Sequence, residues 1–229
     1  MPEKINPMIV KIHKGLSKIL FGISLCIFFT ISGFAQSFER NHWYVDFGLG
    51  VGTNNINLQV KEDVYEWKTG TVVLPFRFEY ALLNQVGIGF IFKRNLYAMN
   101  VPGISSRKTS NSNSLMFTNN VHVINIKQFD FSISIQYGLG YFEQNINYMD
   151  IKRVMRGSGI NYGADFILRV FPSDNMAFFS GFTLNNYSFD LLSYAENGER
   201  INLKSQNRSA NIIGSDFFVG ITYHPLKQK

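Results

Sequence analysis

Eight stretches of the chain alternate apolar and polar residues: His42–Gly52, Val72–Leu82, Gln85–Asn95, Leu115–Ile126, Phe129–Tyr141, Ser158–Pro172, Met176–Tyr187 and Gly214–His224. Each has the length a tilted strand needs to cross hydrocarbon, roughly 9–11 residues with some overhang. In the fifth, Phe129, Phe131, Ile133, Ile135, Tyr137, Leu139 and Tyr141 oppose Asp130, Ser132, Ser134, Gln136, Gly138 and Gly140. Side chains on a strand point alternately to its two faces, so one face suits lipid and the other a polar lumen. The first stretch repeats the pattern, with Trp43, Val45, Phe47, Leu49 and Val51 against Tyr44, Asp46, Gly48 and Gly50. Two stretches are less regular. Asn119 shares a face with Phe117, Val121 and Val123, and Ser180 falls between Phe178 and Phe182.

The connections alternate as well. Leu83-Asn84, Lys127-Gln128 and Ser173-Asp174-Asn175 read as tight hairpin turns, whereas residues 53–71, 96–114, 142–157 and 188–213 read as long polar loops. Short periplasmic turns and long external loops are the arrangement of outer-membrane barrels. An even number of strands brings both ends to the periplasmic side, where the first and last can pair and remove the edges that lipid cannot satisfy. The predicted fold class is all-β: an eight-stranded antiparallel transmembrane β-barrel with up-and-down meander connections. Trp43, Tyr80, Phe129 and Tyr223 fall toward one end of the outward face, and Tyr137, Tyr141 and Tyr162 toward the other, as two interfacial girdles would.

Composition fits this reading. A mean hydropathy of −0.02, with no segment after the leader approaching a spanning apolar run, argues against a helical membrane protein but not against a barrel, whose strands are apolar only at alternate positions. Lys4, Lys11, Lys14 and Lys18 precede an apolar run from Ile19 to Ile31 and then Ser32-Gly33-Phe34-Ala35, the layout of a signal peptide cleaved near Ala35. The expected domains are therefore a leader over 1–35 and a barrel over 36–229. Removing the leader's four lysines and Glu3 from 22 basic and 16 acidic residues leaves 18 against 15, a charge of +3 that gives nucleic-acid binding little support. Cys26 leaves with the leader, so no disulfide or thiolate metal site is expected.

With its leader, strand rhythm and Gly/aromatic segments such as Gly138-Leu139-Gly140-Tyr141 and Gly159-Ile160-Asn161-Tyr162-Gly163, the chain resembles the small eight-stranded outer-membrane β-barrel families over roughly residues 36–229. PorT-like barrels, which serve a secretion assembly, are similar in size and fold only. The resemblance implies an outer-membrane location and carries no catalytic motif. Barrels of this type often end in an aromatic residue that helps the insertion machinery; Tyr223 fits that role, with His224–Lys229 extending past it.

The inward faces collect Asp46, Arg77, Glu79, Lys93, Asp165, Arg169 and Asp216. In a narrow lumen these charges should pair into a plug, because unpaired buried charge is costly and eight strands leave little space. The alternative is a proton or ion path. Gly48-Leu49-Gly50-Val51-Gly52 lacks the helix of a nucleotide loop, and the inward Gly-x-Gly pairs should instead make room for Phe179, Phe218 or Arg77. No catalytic, cofactor or metal residues are expected: His42 and His224 lie near the periplasmic rim, and His122 shares a face with Thr118 and Asn120. Lys152, Arg153 and Arg156 form a basic cluster suited to lipopolysaccharide phosphates, and Tyr65, Trp67, Tyr97 and Tyr194 suit a protein-partner surface on the loops. The expected function is a structural or interaction barrel in contact with outer-membrane lipids, with a protein partner at its loops or periplasmic turns. A narrow or gated channel and a lipid-modifying enzyme are the alternatives.

Overall fold

A computed structural model describes residues 38–60, 63–98, 107–126, 128–148, 151–173, 175–202 and 208–225. The leader lies outside them. The elements are β1 Trp43–Val60, β2 Asp63–Leu83, β3 Val86–Ala98, β4 Arg107–Ile126, β5 Phe129–Tyr148, β6 Ile151–Val170, β7 Met176–Glu196, β8 Glu199–Asn202 and β9 Arg208–Tyr223. Neighbours pair antiparallel, and β9 bonds both β7 and β1, which closes the sheet. The short β8 pairs with β7 at the tip of its hairpin, so the barrel wall itself has eight staves.

Closure is staggered. The hydrogen-bonded row from Val72 runs through Val51, Phe217, Phe182, Phe166, Ile133, Val121 and Val86 and returns to β2 at Leu83, eleven residues beyond its start, with a bulge near Leu83 included. Every residue of this spiral is apolar. A barrel needs such a shear to close, and here the shear carries one continuous apolar stripe around the outside.

At the short-turn end the strands begin and end within about two residues of the predicted bounds. At the other end they do not. Residues 53–71, 96–114, 142–157 and 188–213, expected as loops, are largely strand; β2 and β7 each run for 21 residues. A tilted crossing uses roughly 9–11 residues, so about ten are left over, on the order of 30 Å along the strand. The barrel therefore projects well beyond the apolar belt as paired hairpins.

These extensions fold because the alternation inverts its phase. On β1 the outward Phe47, Leu49 and Val51 give way to the inward Ile56 and Leu58; on β7 the outward Phe178, Phe182 and Leu184 give way to the inward Tyr187, Phe189 and Leu191. The outer surface turns polar at the same level, with Asn55, Asn57, Gln59 and Asp190 facing out. Where lipid surrounds the wall the outside must be apolar; where water surrounds it, the inside supplies the core. Ile56, Leu58, Tyr97, Phe142, Met155, Tyr187, Phe189, Leu191, Ala210 and Ile212 form that core, with Trp67 packed against it. Tyr97 and Trp67 thus belong to the interior rather than to a partner surface, while the side chains of Tyr65 and Tyr194 lie outside the described residues.

The short-turn mouth is closed by the segment before β1. Asn41, at φ 64°, turns the chain back, a conformation Asn tolerates better than most residues. Phe38 then enters the mouth, 1% exposed, beside Tyr44, Ala81, Phe171 and Ala177. The Asn125 side chain donates to the Phe38 carbonyl (2.7 Å), and the Arg40 N–H donates to Asn84 Oδ1 (2.9 Å). His224 also turns inward here, next to Tyr44 and His42, while Tyr223 stays on the outer face.

Candidate functional site

All seven predicted luminal charges face inward, and none is more than 3% exposed. Register places two pairs directly opposite each other: Asp46 with Arg77 across β1 and β2, and Asp130 with Arg169 across β5 and β6. Inward glycines give some of the others room. Any side chain at Gly87 would collide with the Glu79 carboxylate, and one at Gly50 with Phe218; it is Glu79, not Arg77, that lies over Gly87.

Two groups result. In the first, Arg169 reaches across the lumen: Nη2 donates to Glu79 Oε2 (2.7 Å) and Asp46 Oδ2 (2.8 Å), and Nη1 donates to Asp130 Oδ2 (3.0 Å). His122 completes a ring, with Nδ1 2.5 Å from Asp130 Oδ1 and Nε2 2.9 Å from Glu79 Oε1. The Phe38 ring stacks on His122 at 3.4 Å between centroids and seals this group from the mouth. In the second, Arg77 Nη2 donates to Asp165, which also accepts from Thr183 Oγ1 (2.5 Å) and Gln136 Nε2 (2.9 Å), while Lys93 Nζ lies 3.8 Å from it. Arg77 Nε, 3.9 Å from Asp46, joins the groups. Asp216 stands apart: it accepts from Asn185, whose Oδ1 takes the Lys93 ammonium at 3.1 Å.

His122 and Asp130 are the members the sequence reading missed. Both lie on the inward parity of their stretches, so the signal was present; what it lacked was their height in the lumen.

The basic cluster is partly committed elsewhere. Arg156 Nε donates to Glu143 Oε2 at 2.8 Å, and Asn145 donates to Glu143 Oε1 at 3.0 Å. The Asn145 hydrogen bond is the largest influence and, with the hydrogen bond and charge of Arg156, holds the Glu143 carboxyl below the usual carboxylate range against the opposing effect of burial. Lys152 is exposed, and the Arg153 side chain lies outside the described residues.

No family model and no curated protein matches the chain. Solved structures do. The outer membrane protein OprG of Pseudomonas aeruginosa is 6% identical, with 82% of this chain and 98% of that one covered, at a TM-score of 0.53. Ail, the attachment invasion locus protein of Yersinia pestis, is 11% identical, with 80% and 98% covered, at 0.48. At such identities the likeness concerns the fold alone. That fold is the small eight-stranded outer-membrane β-barrel. The protein is accordingly an outer-membrane barrel with a buried salt-bridge network in its lumen.

Proposed function

We propose that this is a non-enzymatic barrel with a structural or interaction role, whose lumen is plugged by its own charges and whose four long hairpins stand outside the cell. The observation that carries the reading is Arg169, 0% exposed and bonded at once to Asp46, Glu79 and Asp130 from three other strands. Tying opposite walls together through a buried cation stiffens a barrel and occupies the space an ion would need. Phe38 on one side and the aromatic core on the other add two further layers.

In this reading the short turns face the periplasm, and the leader is removed near Ala35. Outer-membrane lipids surround the belt. Lipopolysaccharide phosphates meet Lys152, Arg153 and Arg156, with Arg156 offering less because Glu143 already engages it. A protein partner would meet the hairpin tips or the periplasmic turns, and crosslinking in intact cells would identify it.

Planar-bilayer recording tests the plug. The expected result is no steady conductance. A stable, conducting barrel whose ion preference follows neutralisation of Arg77 or Lys93 would establish the channel alternative instead. Mass analysis of membrane lipids with and without the protein should show no change; a modified lipid that depends on it would establish an enzyme.

A further inference from the structure

The lipid-facing side of β4 is broken by one polar residue, Asn119. Its neighbours on that face are Phe117 and Val121, and its partners across the ladder are Ile88 on β3 and Ile135 on β5. Asn119 is exposed, as are Val121 (53%) and Ile135 (63%). The outward apolar run on β4 extends from Leu115 to Ile126, so the amide sits about 13 Å along the strand from one end and about 23 Å from the other. A short amide cannot snorkel that far, as Lys or Arg would. The main chain on both sides is engaged in the ladders to β3 and β5, and among the described residues the Asn119 side chain has no hydrogen-bond partner.

An unpaired amide in hydrocarbon is strongly disfavoured, because nothing there replaces the hydrogen bonds it makes to water. Ser180, the other irregular position, differs: it is half-buried, and a hydroxyl can bond its own backbone. Asn119 needs an external partner. A carboxamide carries both a donor and an acceptor, so two of them related by a two-fold axis satisfy each other reciprocally. The nearest outward charge on this wall, Arg94 on β3, stands opposite Asn113, six residues along the strand from the Asn119 level, so the apolar surface around the amide is uncharged, and Phe117, braced by Phe90 (5.7 Å) and Tyr137 (5.6 Å), provides a firm shoulder. We propose that the β3–β5 wall is where a second copy of this chain docks within the bilayer, with the two Asn119 amides hydrogen-bonded across the axis.

The test uses the full chain with Cys26→Ser, and compares Ile135→Cys, beside Asn119, with Val219→Cys on β9 across the barrel. In membranes treated with a short bis-maleimide, Ile135→Cys should give a crosslinked dimer and Val219→Cys should not. Adding Asn119→Leu should lower the dimer yield about tenfold or more, the order expected when a membrane-buried polar contact worth about 1.4 kcal/mol is lost. Leucine suits the belt, so this variant stays folded, which its unboiled gel migration checks. Equal crosslinking from both walls, a dimer indifferent to Asn119→Leu, or capture of a different protein by Ile135→Cys would each overturn the proposal.

Discussion

Arg169 Nη2 lies 2.7 Å from Glu79 Oε2, joining β6 to β2 across the lumen over a separation of 90 residues in the chain. The same guanidinium serves Asp46 and Asp130, so truncating it takes a shared cation from three buried carboxylates and leaves only His122 and the more distant Arg77 beside them. Arg169→Ala should destabilise the barrel by about 3–5 kcal/mol, the range seen when one partner of a buried pair is removed. Arg77→Ala should cost less, because Lys93 remains beside Asp165. Urea unfolding of both variants in matched detergent gives the order; equal effects would mean the two groups do not act separately.

The phase inversion predicts opposite tolerances on neighbouring positions above the belt. Phe189→Ala empties part of the inner core and should cost about 3–5 kcal/mol, whereas outward Asn57→Ser should stay within about 0.5. The same unfolding assay distinguishes them.

Phe38→Ala should leave the strand ladder intact and expose the His122 ring to the mouth. The expected result is faster amide hydrogen exchange at the start of β1 and a lower unfolding temperature, with unchanged far-ultraviolet dichroism. Unchanged exchange would show that Phe38 does not seal the mouth.

Protease tags test the orientation. A tag at Gly198, an open hairpin tip at φ 92°, should be cut on intact cells, and one at Ser173 should not. Asn111 is unsuitable, because it lies inside β4, paired with Leu96 and Glu143. Equal cleavage at Gly198 and Ser173 would reverse or abolish the assigned topology.

Acid should loosen the β5–β6 hairpin. The folded Glu143 carboxyl titrates below the ordinary glutamate value of about 4.3, so its contribution is complete above that value and is lost as pH falls through the lower folded one. The pair is largely exposed, so the effect is small and weakens with salt. Proteolysis of this hairpin against pH, compared with Glu143→Gln, reads it; the variant should lose the dependence.

The amino-acid sequence determined what lipid and chain continuity impose locally. Period-two alternation in stretches such as Phe129–Tyr141 located each crossing, the short turns set one end of every strand, and parity told which charges point inward. The hairpin extensions escaped because their alternation runs in the opposite phase, Ile56 and Leu58 against Asn57 and Gln59, within stretches rich in Asn and Ser. Only the tertiary structure decided which luminal charges meet. Arg169 and Asp46 lie 123 residues apart, and their contact depends on the stagger with which eight strands close, since that stagger sets the height of every side chain in the lumen. Parity is a property of one strand, whereas height inside a barrel is a property of all of them together.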